Sequence, residues 1–278
     1  MNKLENFSLK TGVKTFVIAE IGINHNGDLE LAKKLIDSAA RAGANAVKFQ
    51  TYKTETRTTI NSPIYDILKK CELGFDNFRE LKEYSEAKNV IFFSTPFDEE
   101  SVDYLESIDV PFYKIASFDV ANLPLLEKIA KTKKPIIVSI GMSNLEEIKN
   151  AISLLEKFGS QVALLHCISA YPTPEEESNL SVIGTLKKMF PNNIIGLSDH
   201  TNGIFVPQLS VVMGAQIIEK HFKIDDKMDC PDSVVSIDEG QLKEFVDSLG
   251  RIDNILGNNE IQITEIEKQL LWLKRSKK

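Results

Sequence analysis

At 278 residues, 42% of them apolar, the chain is right for one α/β barrel, which typically needs about 250. Its net charge is −7 and its basic residues are spread rather than clustered, which argues against a nucleic-acid surface. The three cysteines (Cys71, Cys167, Cys230) are far apart and form no CxxC, so they support neither a disulfide framework nor a zinc knuckle, and a reducing cytoplasm is the expected compartment.

The N-terminal residues carry no apolar leader, and no window approaches the roughly 18 uninterrupted apolar residues a membrane span needs. Secretion and a membrane are therefore not expected. Beyond that point short apolar runs alternate with amphipathic stretches. Strands are expected over 15–22, 46–50, 90–95, 112–117, 135–141, 162–169, 194–200 and 217–222. Helices are expected over 29–42, 77–88, 99–107, 123–131, 144–158, 179–189, 203–213 and 238–256. Asp28 caps the first helix, and Ser143-Asn144 followed by Glu146-Glu147 caps the fifth; Gly43 and Gly159 fit helix C-termini.

Strict β-α alternation means a parallel sheet, because parallel neighbours need a crossover. An open doubly wound sheet competes, but its GxGxxG turn is missing after the first strand, where Gly22 and Gly27 are wrongly spaced. The expected fold is a single-domain α/β chain, a closed (β/α)8 TIM barrel over 1–257, with 258–278 as a tail. Residues 51–75, rich in Thr and Lys and carrying Pro63, read as a long loop that shapes a site. The tail is polar, then mildly amphipathic through Ile261, Ile263, Ile266, Leu270, Leu271 and Trp272, and fits a terminal helix or a truncated linker. Its basic end reads as solvated.

In such a barrel the active site forms at the C-terminal ends of the strands. Those ends carry Glu20, Lys48 and Gln50, Thr95, Lys114 and Ser117, Ser139, Ser169 and Tyr171, His200, and Glu219 with His221. One such residue alone is readily a solvated strand terminus; the whole set around one rim is not. Lys48 and Lys114, with the hydroxyls of Thr95, Ser117 and Ser139, suit a phosphate. His200 and His221 end neighbouring strands, about 5 Å apart, so they can share a divalent metal that polarises a carbonyl. Two imidazoles without a metal are the plain alternative. Glu20 and Glu219 can relay protons or ligate the metal. A phosphorylated substrate meeting a carbonyl substrate suggests carbon–carbon bond formation or phosphoryl-group chemistry. A Schiff-base aldolase using Lys48 or Lys114 stays open.

Several stretches together resemble the sialic acid synthase family, which covers N-acetylneuraminate, legionaminate and pseudaminate synthases. They are Phe16 to Asp28 (FVIAEIGINHNGD), Ala46 to Gln50 (AVKFQ), Tyr113 to Ser117 (YKIAS), Leu165-His166-Cys167 with Tyr171 to Pro174 (YPTP), Ser198 to Thr201 (SDHT) and Glu219 to Phe222 (EKHF). The resemblance implies condensation of phosphoenolpyruvate with an N-acetylated hexosamine-type aldose, giving a nonulosonic acid and phosphate. It implies Mn2+ or Mg2+ on His200 and His221. It sets Lys48, Thr95, Lys114, Ser117 and Ser139 around phosphoenolpyruvate, with Gln50 nearby, and Asp119, Ser169, Tyr171 and Asp232 at the sugar. Glu20 would manage the water or proton at the reacting carbon.

Family members continue into a small antifreeze-like domain whose arginine reaches the partner subunit's sugar site, and this sequence stops about where that domain would begin. A homodimer and a separate lid-domain protein are both open as partners, and a weakened sugar-phosphate-binding barrel is a third reading. Cys230-Pro231-Asp232-Ser233 departs from the family's Gly-Pro-Asp-His. His25 is open between a structural and a substrate-lining role, while His166 and Cys167 read as core packing.

Overall fold

The computed structural model describes residues 15–258 and 260–275. Eight strands alternate with helices: β1 (Phe16–Gly22), α1 (Leu29–Ala42), β2 (Ala46–Thr51), α2 (Thr54–Arg57), α3 (Tyr65–Cys71), α4 (Phe75–Ala87), β3 (Ile91–Pro96), α5 (Glu99–Ser107), β4 (Tyr113–Ile115) and α6 (Leu123–Ala130). The second half continues with β5 (Ile136–Ser139), α7 (Leu145–Lys157), β6 (Val162–Cys167), α8 (Ser181–Met189), β7 (Ile194–Asp199), α9 (Phe205–Val212), β8 (Ile217–His221), α10 (Glu239–Leu256) and α11 (Glu265–Lys268). The strands pair in chain order, all parallel, and β8 closes on β1. This is the expected (β/α)8 barrel.

Local chemistry explains the elements. α1 buries Ala32, Leu35, Ile36, Ala39 and Ala42, a spacing that puts one stripe against the sheet. Asp28 starts it by accepting from the backbone N–H groups of Glu30 and Leu31, and Gly43, at φ +89°, ends it in the left-handed region. α7 begins with the anticipated reciprocal cap between Asn144 and Glu147.

Period-2 alternation divides each strand between two cores. Outward residues such as Val17, Ala19, Ile21, Val47 and Phe49 pack under the helices. Inward residues Phe16, Ile18, Ala46, Phe93, Phe112, Ile137, Ala163, Leu165 and Ile217 plug the barrel. Gly196 belongs to this interior. A Cβ there would sit 2.2 Å from the Ile217 carbonyl oxygen, so β7 approaches β8 this closely only without a side chain.

Towards the C-terminal ends the same inward rows turn polar. Ile18 gives way to Glu20, Ala46 to Lys48 and Gln50, Phe93 to Thr95, Phe112 to Lys114, Ile137 to Ser139, and Ile217 to Glu219 and His221.

Three strands end two residues sooner than expected. β4 stops at Ile115, β5 at Ser139 and β6 at Cys167, so Ser117, Ser169 and Tyr171 stand on the following loops. Ser117–Asp119 instead forms a 3₁₀ turn. The segment 51–75 is not a structureless loop. It folds into α2 and α3, and Tyr52, Leu68 and Cys71 meet Ile23 in a small core of their own. Glu72 ties its ends by accepting from the Thr54 N–H at 2.9 Å and hydroxyl at 2.6 Å.

In the tail, Thr264 and Glu267 cap the one-turn α11, while Ile261, Ile266 and Trp272 are exposed. The last three residues of the basic end lie outside the described residues. Among the described residues no helix is long and apolar enough to cross a membrane.

His25 is buried behind β2, its ring 5.9 Å from that of Phe49, and its Nε2 has no hydrogen-bond partner. It does not line the main cavity, which favours the structural role. Burial pulls its pKa down to about 4. The unfolded chain titrates this group near 6.5, so between roughly pH 6.5 and 4 the unfolded state binds more protons. Stability from His25 is thus complete above that window and is lost as pH falls through it. Urea denaturation should show the wild type losing about 2 kcal/mol more than His25→Gln between pH 7 and pH 5. Equal losses would contradict this assignment.

Candidate active site

The inward rows deliver their polar residues to one level. His221, Glu20 and Lys48 are register partners across β8, β1 and β2. Lys48 Nζ pairs with Glu20 Oε2 at 2.8 Å and donates to Thr95 Oγ1 at 3.0 Å. Lys114 Nζ donates to Ser139 Oγ at 2.7 Å and to the Ile115 carbonyl at 3.0 Å. Glu219 Oε1 sits between the two ammonium groups, 3.8 Å from Lys48 and 3.7 Å from Lys114, and accepts from Ser198 Oγ at 3.1 Å. Its other oxygen is buried without a hydrogen-bond partner.

Two carboxylates this close are driven apart in acidity. Burial raises the pKa of Glu20, and the neighbouring Glu219 charge adds to that, outweighing the pull of Lys48. Burial acts on Glu219 as well, but Lys114, Lys48 and His221 hold it below the usual range. Glu219 is therefore the standing anion, and Glu20 is the group poised to exchange a proton. Burial also lowers Lys114, against the opposing charge of Glu219.

The two histidines face each other across β7 and β8, with ring centres 5.4 Å apart. His200 Nδ1 donates to the Ile168 carbonyl at 2.8 Å, which leaves Nε2 as the nitrogen available to a metal. His221 Nδ1 is buried without a hydrogen-bond partner, 3.4 Å from Asp232 Oδ2. Asp232 raises the His221 pKa against the effect of burial. The pair fits a divalent cation: one imidazole is oriented by a backbone carbonyl, and the other leaves a buried nitrogen unsatisfied. Among the described residues no three His, Cys, Asp or Glu side chains form a complete ligand cluster. Two imidazoles would leave the remaining positions to water and substrate oxygen.

Behind this pair lies a second layer. Lys220 and Asp199, the outward neighbours of the histidines, are buried and paired at 2.5 Å, and Lys220 also donates to the Thr201 carbonyl. Asn24, fully buried, donates to the Phe222 carbonyl at 2.9 Å and accepts from the Asp232 N–H at 3.0 Å, which fixes the loop that brings Asp232 back over the barrel.

These groups surround one cavity of about 360 Å³. It is lined by Glu20, Lys48, Gln50, Thr95, Lys114, Ser117, Ser139, Ser169, Tyr171, His200, Glu219, His221 and Asp232. Asp119 alone of the expected site residues is not in the wall; it sits on the 3₁₀ turn and accepts from Asn122. Tyr171 reaches over the histidines, its ring 4.0 Å from that of His200.

The cavity also holds residues the motifs did not single out, among them Arg57, Phe97, Phe118 and Met142, together with Ser198 of the SDHT stretch. Cys167 is in the wall as well, correcting the packing-only reading, with Sγ 3.8 Å from His200 Nδ1 and 3.5 Å from Ser117 Oγ. Burial pushes this thiol up, but His200, Ser117 and Lys114 outweigh it and hold it below its usual range. His166 behaves as the expected core histidine, with Nε2 2.8 Å from the Ser178 carbonyl.

Comparison with known proteins agrees with this geometry. The model of the NeuB family matches residues 35–261. The chain belongs to the NeuB family. The NeuB-family barrel is 40% identical over 273 residues to N,N'-diacetyllegionaminic acid synthase of Campylobacter jejuni, covering 92% of this chain and 81% of that protein. It is 35% identical to the human N-acetylneuraminate-9-phosphate synthase over 91% of this chain and 74% of that one. Among solved structures, the N-acetylneuraminic acid synthetase of Leptospira borgpetersenii, in complex with citrate, superposes with a TM-score of 0.89 at 42% identity, over 93% of this chain and 90% of that one. As a NeuB-family member the chain is an enzyme of the synthase type.

Proposed function

We propose that this barrel condenses phosphoenolpyruvate with the open-chain form of an N-acylated aldose, giving a nonulosonic acid and phosphate. The observation that carries the reading is the single cavity in which Lys48 and Lys114, each bonded to a strand-end hydroxyl, stand beside the His200–His221 pair. The lysines, with Thr95, Ser117 and Ser139, hold the phosphate and carboxylate of phosphoenolpyruvate. The sugar aldehyde lies towards His200 and His221, beneath Tyr171 and beside Asp232 and Ser169. A Mn2+ or Mg2+ ion held by His200 and His221 would supply Lewis-acid polarisation of that aldehyde. C3 of phosphoenolpyruvate bonds to the aldehyde carbon. Water then adds at C2, its proton passing by way of the Glu20 carboxylate to the oxygen that was the aldehyde's, and the C2–O bond to phosphate breaks as C2=O forms, the second proton of that water leaving with the phosphate. Glu219 stays ionised and holds both lysines in place. The reaction belongs in the cytoplasm, where the three free cysteines stay reduced.

Phosphate release tests the reading. It should require phosphoenolpyruvate, a divalent ion and an N-acylated aldose together, across N-acetylmannosamine, its 6-phosphate and diacetamido-trideoxyhexoses. No release with any of them counts against it. The lowered Lys114 favours one competing route, a Schiff base, which borohydride trapping of pyruvate on Lys114 in the presence of EDTA would reveal.

A further inference from the structure

Arg57 lines the cavity, yet the condensation described above gives it no task. It ends the short α2, and its guanidinium lies over two aromatic rings, 3.8 Å from the centre of Phe97 and 4.6 Å from that of Tyr52. Those rings are held in turn. The Tyr52 hydroxyl donates to the Leu68 carbonyl at 2.9 Å, inside the small core of this segment, and Phe97 stacks on Phe118 with ring centres 5.6 Å apart. The guanidinium therefore sits in a fixed plane. From it a bonded line runs to the proton acceptor of the reaction. Arg57 Nη1 donates to Gln50 Oε1 at 3.0 Å, Gln50 Nε2 donates to Glu20 Oε1 at 3.2 Å, and Lys48 Nζ pairs with Glu20 Oε2 at 2.8 Å.

We propose that Arg57 is a positioning residue for Glu20, acting through the side-chain amide of Gln50. The inference rests on the condensation reading, in which Glu20 takes up a proton from the attacking water. A carboxamide has two unlike ends, and its direction is set by what each end faces. A guanidinium carries donors only, so the end of Gln50 turned towards Arg57 has to be its carbonyl oxygen. The NH2 end is thereby turned to Glu20. That carboxylate then has the Gln50 N–H at one oxygen and the Lys48 ammonium at the other, a two-point hold that sets its plane. Without Arg57 the amide is free to reverse, and its carbonyl oxygen would face a carboxylate oxygen. That contact is repulsive and pushes Glu20 out of line. A misplacement of about 1 Å from a change outside the chemistry can cost on the order of 100-fold in rate. The 51–75 segment gains a task from this arrangement: its aromatic core fixes the arginine that orients the base.

The test is a pair of double-mutant cycles read by single-turnover phosphate release and steady-state kinetics. The assays use Mn2+, phosphoenolpyruvate and either N-acetylmannosamine or a diacetamido-trideoxyhexose. Arg57→Met keeps an apolar stem beside the rings and removes the donors. It is expected to lower kcat about 10-fold, with the KM for both substrates within about twofold. In a Glu20→Gln background no base remains to be placed, so the same change should cost less than about twofold. Arg57→Met combined with Gln50→Met should be no slower than Gln50→Met alone. A substrate contact or a merely structural role would give the same loss in every background. An equal loss with and without Glu20, an additive loss with Gln50→Met, a kcat within about twofold of wild type, or a raised KM for either substrate overturns the assignment and leaves the condensation standing. A wild type that releases no phosphate with either sugar brings down the condensation, and this assignment with it. Thermal melts accompany each variant, and Arg57→Leu repeats the comparison should Arg57→Met melt below the assay temperature.

Discussion

Glu20→Gln is expected to lower kcat by about 10²- to 10⁴-fold while leaving the melting temperature nearly unchanged. The amide keeps the shape of the side chain and its bond with Gln50 can re-form, but it cannot take up a proton. Because burial and Glu219 raise the Glu20 pKa, the carboxylate form is lost as pH falls through a value above the usual range. The wild-type rate should therefore drop on the acid side at a higher pH than an ordinary carboxylate would give, and the variant's residual rate should lack that limb. A pH–rate profile with single-turnover phosphate release measures both. A variant within threefold of wild type would remove Glu20 from the chemistry.

Asp199→Ala should destabilise the barrel by about 3–5 kcal/mol, the usual cost of leaving a buried charge without its partner. Lys220 has nowhere to go: it is buried on the outward face of β8, and its remaining acceptor is the Thr201 carbonyl. The melting temperature should fall by roughly 10 °C for a domain of this size. Asp199→Leu combined with Lys220→Met should recover most of that, since apolar replacement of a whole buried pair is often neutral. The double variant separates the charge from the volume. If Asp199→Ala melts with wild type, the pair is not what holds the two histidine-bearing strand ends.

The barrel was legible because each strand is a short apolar run that turns polar at its C-terminal end, and that pattern depends only on neighbouring residues. Glu20, Lys48, Lys114, Ser139, Glu219 and His221 could be placed this way without any knowledge of packing. The sequence pattern carries strands through Ser117 and Ser169, whereas the strands end before them, because chain direction there is decided by the 3₁₀ turn and the following loop. Arg57 was invisible for a different reason. A Thr- and Lys-rich stretch looks like solvent-exposed loop, and only the aromatic rings of Tyr52 and Phe97 turn this arginine inward. Asp119 shows the converse, a motif position held just behind the wall. The Asp199–Lys220 pair could have been suspected, since each residue immediately precedes its histidine and both therefore point away from the cavity.

The aromatic and aliphatic stopper formed by Phe16, Phe93, Phe112 and Ile137 makes the catalytic chamber blind-ended. A vessel with a single doorway imposes a queue. In the condensation proposed above, an ester held at the lysines would enter before the sugar, and phosphate would leave after the lengthened acid.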